Sequence, residues 1–136
     1  MQPALLTLST REQTAPPHLR WSLPPSKSLW ARALLLDALR GKLPHFDFAE
    51  STPLDILALH AALHACQEGA DEINVSESGT AMRFVCAYLA VTTKHPVKLS
   101  GTGRQHERPI APLVEVLRSQ GAKITYLNYE GYPPLL

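Results

Sequence analysis

Three short segments of this 136-residue chain place a basic side chain where a strand is predicted to meet a helix. The segments are Ser26-Lys27-Ser28 with Arg32, Ser78-Gly79-Thr80 with Arg83, and Gly103 to Arg108 with Arg104. Free N–H groups and the helix dipole attract an anion to a helix start, and glycine lets the backbone come close to it. Arginine can hold a phosphate or carboxylate through two hydrogen bonds. Three such segments in one small domain predict a ligand with several negative groups.

The same segments fit a second interpretation, in which their hydroxyl residues only cap helices. Ser26, Ser28 and Thr80 are of the type that accepts hydrogen bonds at helix N-termini. Arg108 follows Glu107, and such neighbours are commonly a surface or structural ion pair. The sequence contains no Walker-type motif, so a nucleotide P-loop is not predicted. Capping and anion binding both stay open for each segment taken alone.

Histidines and cysteines offer weaker candidates for chemistry. His60 and His64 are four residues apart on a predicted helix, a spacing that metal-binding pairs use. No glutamate follows His60 and no third ligand is evident, so we interpret both as structural or surface residues and predict no metal site. Cys66 and Cys86 lack a C-x-x-C context and are predicted to be buried thiols in a reducing compartment.

Composition excludes several classes of protein. Thirteen basic and twelve acidic residues give a net charge of +1, which argues against coating a nucleic acid. No apolar run reaches the ~18 residues of a membrane span, and the N-terminus does not resemble a signal peptide. A hydrophobic fraction of 45% suffices for a core, and the length fits one domain. We therefore predict a cytoplasmic protein with neither nucleic-acid nor membrane partners.

The hydrophobic pattern predicts a mixed α/β fold, with strands and helices interleaved. Strands are predicted at 4–9, 18–23, 72–75, 97–100 and 122–127, and helices at 28–40, from 51–53 to Gly69, at 81–91 and from Pro109 to Gly121. Residues 10–17 are polar, end in two prolines and are predicted to be a hinge. The predicted division is therefore an N-terminal strand and hinge at 1–17, followed by a partial domain at 18–136.

Helical periodicity also predicts which face of each helix is buried. The predicted buried stripes are Leu29, Ala33, Leu36 and Leu39 in the first helix, Leu54, Leu57, Ala58, Ala61 and Ala65 in the second, and Ile110, Leu113, Val114 and Leu117 in the fourth.

Four segments, in this order, resemble the signatures of one protein family. They are Leu23-Pro24-Pro25-Ser26-Lys27-Ser28 with Arg32, Ser78-Gly79-Thr80-Ala81-Met82-Arg83-Phe84, Gly103-Arg104-Gln105-His106-Glu107-Arg108-Pro109-Ile110, and Gly121-Ala122-Lys123-Ile124 followed by Tyr132-Pro133-Pro134-Leu135. These resemble the enolpyruvyltransferases, and the shikimate branch of that family in particular. The resemblance runs from about residue 20 to the last residue.

The resemblance implies a fold and a reaction. The family has two domains built from βαβαββ units, with the active site in the cleft between them. The shikimate branch transfers the enolpyruvyl group of phosphoenolpyruvate to the 5-hydroxyl of shikimate 3-phosphate and releases phosphate. The reaction passes through a tetrahedral intermediate and uses no metal or organic cofactor. Both substrates are polyanions, which agrees with the three anion-attracting helix starts.

The resemblance covers only part of the first of the two domains. We therefore expect a fragment that carries part of a substrate site and is inactive alone, because the acid–base groups of the family lie elsewhere. The resemblance assigns no catalytic residue to this chain. Surface that further repeats would cover is expected to favour self-association.

The resemblance also implies roles for individual residues. Lys27 would contact both substrates, and Ser28 and Arg32 would bind shikimate 3-phosphate. The residues implied for phosphoenolpyruvate are Lys27, Gly79, Thr80 and Arg104, with Arg83 supporting them or acting only structurally. The chain departs from the family pattern at Glu77, which replaces an asparagine, at Pro25, where glycine is common, and at Leu54, which replaces the first acid of an aspartate pair completed by Asp55.

Two alternative functions remain open at this point. The UDP-N-acetylglucosamine enolpyruvyltransferases share the fold, although they carry lysine-asparagine where this chain has Lys27-Ser28. A stand-alone anion-binding or interaction module with a degenerate site is the other alternative, and Glu77 is the residue that favours it.

Overall fold

A computed structural model describes residues 26–136, and the predicted strands at 4–9 and 18–23 and the hinge at 10–17 lie outside this range. The described elements are α1 (Lys27–Leu39), α2 (Leu54–Gln67), β1 (Glu72–Asn74), α3 (Gly79–Thr92), β2 (Lys98–Ser100), a 3-10 helix (Gly103–Glu107) and α4 (Ala111–Ser119). Helices and strands alternate along much of this range, so the predicted mixed α/β class is confirmed.

The two strands form a small parallel sheet that α3 connects. Ile73 of β1 is aligned with Leu99 of β2, and both side chains are buried. Parallel strands need a crossover connection, and α3 provides it as a βαβ unit. On its other edge β2 meets Leu135, which exchanges two backbone hydrogen bonds of 2.9 Å with Leu99.

The prediction of a regular strand at 122–127 is wrong. In this stretch only Tyr126 forms a bridge, antiparallel to Leu135. The facing chain contains Pro133 and Pro134, and proline has no N–H to donate to a ladder. Pro134 still accepts a hydrogen bond from Leu127 N at 2.9 Å, but the pairing cannot extend into a strand.

Helix α3 lies at the centre of the core. It packs against α1, α2, α4 and β2. Its buried side chains are Ala81, Met82, Val85, Cys86, Tyr88 and Leu89. A helix that contacts neighbours on several sides is held mainly by tertiary packing, so its ends are fixed in position relative to the other helices.

The buried faces of α1 and α2 differ from those predicted. In α1 the buried residues are Ala31, Leu34 and Ala38, while the predicted Leu29, Ala33, Leu36 and Leu39 are exposed. In α2 they are Ile56, Leu59, Ala62 and Leu63, and of the predicted stripe Leu57, Ala58 and Ala65 are half-buried, while Leu54 is 81% exposed and Ala61 is exposed too. Apolar residues occur on nearly every side of both helices, so periodicity does not single out one face.

Helix α4 behaves as its sequence predicts. Ile110, Val114 and Leu117 are buried and Leu113 is partly buried, which confirms the predicted stripe. Glu115, Arg118 and Ser119 lie outside this stripe, so the apolar face is clearer than in α1 or α2. Pro112 lies in the first turn, where its missing N–H costs nothing.

Two tight turns bring the start of α3 beside the 3-10 helix. Ser76, after β1, has φ of 53° and donates its N–H to Asn74 Oδ1 at 2.7 Å. Its carbonyl accepts the N–H of Thr102, after β2, at 2.9 Å. Because both turns follow parallel strands at the same edge of the sheet, the residues just beyond them lie together.

Between residues 26 and 136, no helix combines the length and the apolar character needed to cross a membrane.

Both cysteines are free thiols, as predicted. Cys86 is buried in α3 and Cys66 is half-buried at the end of α2. Burial raises the pKa of the Cys66 thiol to about 12 and that of Cys86 to about 11. Thiols held neutral in this way are poor nucleophiles.

Candidate functional site

The first turns of α1, α2 and α3 meet at one place on the surface. Lys27, the first residue of α1, forms an ion pair with Asp55 in the first turn of α2, with 2.7 Å between Nζ and Oδ2. Ser78, the N-cap of α3, is near enough to the Asp55 carboxylate to help lower its pKa. Three helix N-termini therefore direct their positive ends to the same region. We call Lys27, Asp55, Ser78, Arg83 and Arg108 the helix-start cluster; Arg83 and Arg108 lie beside Gly79.

Asp55 is the acidic member of this cluster. Its pKa lies below the usual range, because Lys27 and then Ser78 donate hydrogen bonds to the carboxylate. Partial burial opposes the shift, and the positive charges of Lys27 and Arg108 add to it. The carboxylate is therefore ionised at neutral pH and holds Lys27 at the start of α1.

Gly79, the first residue of α3, lies between two guanidinium groups. A Cβ atom placed on Gly79 would be 3.0 Å from Arg108 Nη1 and 3.3 Å from Arg83 Nη1. Any side chain at this position would therefore press against both arginines. The absence of a side chain keeps a small space open beside two positive groups and the free N–H groups of a helix start.

Both arginines are held by backbone carbonyls and not by carboxylates. Arg83 donates to Gly79 O at 3.1 Å and to Pro109 O at 3.0 Å. Arg108 donates to Glu77 O at 3.1 Å. Neither guanidinium forms an ion pair with any residue from 26 to 136. Their side chains are oriented while their charge is not neutralised, which is the arrangement that an anion-binding site needs.

The hydroxyl residues divide between capping and exposure. Ser78 Oγ accepts the N–H of Ala81 at 3.1 Å, so Ser78, and not Thr80, caps α3. Ser26 caps α1 through a long contact of 3.5 Å to Leu29 N. Thr80 is half-buried in the first turn of α3.

Ser28 and Arg32 share one exposed face of α1, one turn apart, as their spacing predicts. Lys27 adjoins Ser28 in sequence and is itself half exposed, with 51% of its side chain accessible. These three side chains are therefore accessible from the solvent for the predicted contacts with shikimate 3-phosphate.

Arg104 lies apart from the contacts of the helix-start cluster. Its side chain is 85% exposed on the 3-10 helix, and its Nε is 3.6 Å from Glu107 Oε2. Arg108, which the capping interpretation paired with Glu107, instead points to the start of α3. Clamping of a ligand by Arg104 stays a prediction, since an exposed and loosely paired arginine is free to reorient.

Glu77 introduces a negative charge beside this region. Its carboxylate lies against Gly103, where a Cβ atom would collide with Oε1. Glu77 forms no ion pair with a described residue, and Arg83 and Lys27 are bonded elsewhere. Neither of these two cations therefore neutralises Glu77 within the described range.

Gln105 is the other unusual residue near the site. It is 1% exposed, and neither Oε1 nor Nε2 of its amide has a hydrogen-bond partner within the described part of the chain. Its Cβ lies 2.8 Å from where a Gly101 Cβ would be, so Gly101 must lack a side chain. A buried amide without partners is a local cost to stability.

Sequence reasoning missed Asp55 and Arg108 as members of the site. Asp55 completes only half of the expected aspartate pair, and Arg108 was paired with its neighbour Glu107. Taken alone, an acid in the first turn of α2 and an arginine before Pro109 are only weak indications of a binding site. Their importance comes from the packing of α2 on α3, which sequence spacing does not reveal.

The chain is similar to known proteins. The sequence model of the family described as EPSP synthase (3-phosphoshikimate 1-carboxyvinyltransferase) matches residues 54–136. A Bacteroides fragilis protein named 3-phosphoshikimate 1-carboxyvinyltransferase is 41% identical over 113 residues, which is 83% of this chain and 26% of that protein.

Two enterobacterial relatives carry the same name. The Shigella flexneri serotype 5b protein is 40% identical, and an Escherichia coli O139:H28 protein is 39% identical. Each alignment covers 84% of this chain and 32% of the relative. The chain thus spans about a quarter to a third of the length of these relatives. A family match over more than half of the chain, together with this identity, means that the chain belongs to the EPSP synthase family.

Proposed function

We propose that this chain carries part of the substrate site of an enzyme that transfers the enolpyruvyl group from phosphoenolpyruvate to the 5-hydroxyl of shikimate 3-phosphate, with release of phosphate. The observation that carries the proposal is the helix-start cluster. Lys27 and Arg108 act on one carboxylate, Asp55, and Arg83 lies with Arg108 beside Gly79 at the start of α3. The excess of positive charge suits ligands with phosphate and carboxylate groups.

Two parts of the cluster would bind different substrates. The exposed face of Lys27, Ser28 and Arg32 would bind the phosphate and hydroxyls of shikimate 3-phosphate. The space at Gly79, with Arg83, Arg108 and Thr80 around it, would take phosphoenolpyruvate, and Arg104 would turn toward that ligand. Lys27 lies at the junction of the two parts and would contact both substrates, as the family resemblance implies.

The residues of this proposal bind and orient, and none is assigned to proton transfer. Asp55 is ionised and engaged by Lys27 and Ser78, so it orients the lysine and does not supply a proton. We therefore expect the 136-residue chain to bind substrate without turnover. Phosphate release on mixing the chain with both substrates would contradict this expectation.

The rest of the proposal depends on the family relationship. It includes the βαβαββ organisation of the domain, self-association of the isolated chain through exposed apolar residues such as Leu29 and Leu36, and a cytoplasmic location. The names of the relatives favour the shikimate branch over the UDP-N-acetylglucosamine branch.

An amide NMR titration of the chain tests the proposal. Shikimate 3-phosphate is added first, and we expect the shifted amides to cluster at Lys27, Ser28 and Arg32. Phosphoenolpyruvate is then added, and we expect new shifts from Gly79 to Arg83. Shifts scattered over the surface, or none at the highest ligand concentration, would contradict a preformed substrate site.

A matched pair of variants separates specific binding from general attraction of anions. Lys27→Met removes the lysine of the helix-start cluster, while Lys98→Met removes a lysine that forms an equally short ion pair, 2.7 Å to Glu72, on β2. We expect binding to weaken roughly tenfold or more in the first variant only, because a charge-assisted hydrogen bond contributes about 1.5–3 kcal/mol. Equal losses in both variants would indicate nonspecific attraction.

A further inference from the structure

The connector between α1 and α2 brings a histidine against α2, away from the helix-start cluster. His45 lies in this connector and is exposed, whereas His64 lies in α2 with 30% of its side chain accessible. Their Nε2 atoms are 3.4 Å apart, while their ring centroids are 4.7 Å apart. The two rings therefore turn their Nε2 edges toward each other.

This separation fits shared coordination better than a hydrogen bond. Nitrogen donors and acceptors in proteins are usually about 2.7–3.2 Å apart, so 3.4 Å is long for an N–H···N contact. Two Zn–N bonds of about 2.0–2.1 Å at a tetrahedral angle place the nitrogens about 3.4 Å apart. The pair thus has the spacing of two imidazoles on one metal ion.

A carboxylate lies beside one of these rings. His64 Nδ1 is 3.3 Å from Glu68 Oε1, at the C-cap of α2. A nearby carboxylate favours the tautomer with the proton on Nδ1, which leaves the lone pair of the ring on Nε2, facing His45. Histidine ligands of metals typically have this carboxylate partner.

We propose that His45 and His64 bind one divalent transition-metal ion of the class that prefers imidazole, such as Zn²⁺ or Cu²⁺. Residues 26–136 contain no group of three or more metal-ligating side chains, so water completes the coordination and the ion is exchangeable. His60, which the sequence spacing paired with His64, is not assigned to this site; its Nε2 donates to Pro44 O at 2.8 Å.

The site would connect two parts of the chain that are otherwise linked by side-chain packing and by the hydrogen bond between His60 and Pro44. The ion joins the α1–α2 connector to the last turn of α2, so binding stabilises the folded chain by mass action. This role is independent of the proposed transfer reaction, which the family resemblance describes as metal-free.

Titration of the 136-residue chain with Zn²⁺ tests the site, by calorimetry and by thermal unfolding. We expect one ion per chain and a higher Tm with the metal. His45→Gln and His64→Gln should each weaken binding at least about tenfold, and Glu68→Gln by about tenfold, as for other partners of metal ligands. With Cu²⁺, electron paramagnetic resonance should show two coordinated imidazole nitrogens.

His95→Gln is the matched control. His95 is also a histidine beside a carboxylate, with 3.5 Å between its Nε2 and Asp71 Oδ1. We expect this variant to bind Zn²⁺ like the unaltered chain, and circular dichroism checks that every variant is folded. Absence of Zn²⁺ binding, binding that survives both His45→Gln and His64→Gln, or an equal loss in His95→Gln would overturn the proposal.

Discussion

The two ends of the α2–α3 helix pair differ in what controls their titratable groups. At the N-terminal ends, the pKa of Asp55 is lowered although partial burial opposes the shift, because hydrogen bonds and positive charges dominate. Toward the C-terminal ends, burial alone raises the pKa of Cys86. Cys86 lines a groove of about 600 Å³ with Leu89, Val97 and Leu135, and Lys94 and Lys123 line it too. Hydrogen bonds and charge therefore control the titratable group at one end and burial controls it at the other, so substitutions at the two ends should affect different properties.

The largest effect is expected on stability, from a core leucine of α2. Leu63 is fully buried, so Leu63→Ala should lower the free energy of unfolding by about 2–5 kcal/mol through lost contacts and a cavity. Leu54→Ala, at the N-terminal end of the same helix, should change it by less than about 0.5 kcal/mol. Urea unfolding measures both. Similar losses in the two variants would mean that the buried face of α2 is wrongly assigned.

The next effect is on ligand binding, from Gly79→Ala. The new methyl group must displace Arg83 and Arg108, so phosphoenolpyruvate affinity should fall about tenfold, the loss of one charge-assisted hydrogen bond. Shikimate 3-phosphate affinity should be unchanged, because its predicted ligands lie on α1. Isothermal titration calorimetry with each ligand measures the two affinities separately. A loss of affinity for both ligands would indicate a general disturbance of the helix-start cluster.

Titration of the thiols should reduce stability at high pH. In the unfolded chain the cysteines ionise from their ordinary pKa of 9.0, whereas in the folded chain they stay neutral up to about 11 for Cys86 and 12 for Cys66. The unfolded state therefore holds fewer protons in this window, and stability falls as the pH rises through it, by up to about 1.4 kcal/mol per pH unit for each thiol.

Urea unfolding at pH 8 and pH 10 measures this slope. The variant with both Cys66→Ala and Cys86→Ala should show a smaller decrease between the two pH values. An unchanged decrease in the free energy of unfolding would mean that groups other than the two thiols cause it.

A smaller effect, a gain in stability, is expected from Gln105→Met. Methionine has a similar shape and no polar atoms, so it removes two buried groups without partners and should raise the free energy of unfolding by about 1 kcal/mol. The same substitution at the exposed Gln120 is the control and should change little. A loss of stability in Gln105→Met would indicate that its amide has a partner outside the described residues.

The smallest effect is expected from Asp55→Asn. The ion pair with Lys27 is partly exposed, so its loss should cost at most about 1 kcal/mol at pH 7. A lowered carboxyl pKa stabilises the fold above the unfolded value near 4 and loses that contribution as the pH falls through the folded value. The difference between Asp55→Asn and the unaltered chain should therefore shrink toward pH 3 in urea unfolding. A difference that persists at pH 3 would assign the effect to packing and not to charge.

Several features were predictable from sequence because local patterns determine them. The mixed α/β class, the start of α3 near Gly79 and the buried stripe of α4 follow from alternation, glycine, capping residues and a clearer apolar face. The cationic segments were identified in the same way, since a helix start and its basic residues are close in sequence.

Other features depend on contacts between segments that are distant in sequence. The buried faces of α1 and α2 were mispredicted, because both helices are apolar on most sides and the neighbouring helices select the face. The strand at 122–127 was mispredicted because its failure depends on prolines in the facing segment. The contact of His45 with His64 also depends on how the connector folds back on α2.

The sequence by itself determined which residue types could attract anions and that each lies at a helix start, because capping and the helix dipole act within one turn. Only the tertiary structure decided that Lys27 meets Asp55, and that Arg108 joins Arg83 at Gly79 while Arg104 points to solvent. These contacts join residues more than twenty positions apart. Such contacts form only when the packing of α1, α2 and α3 sets where each helix begins.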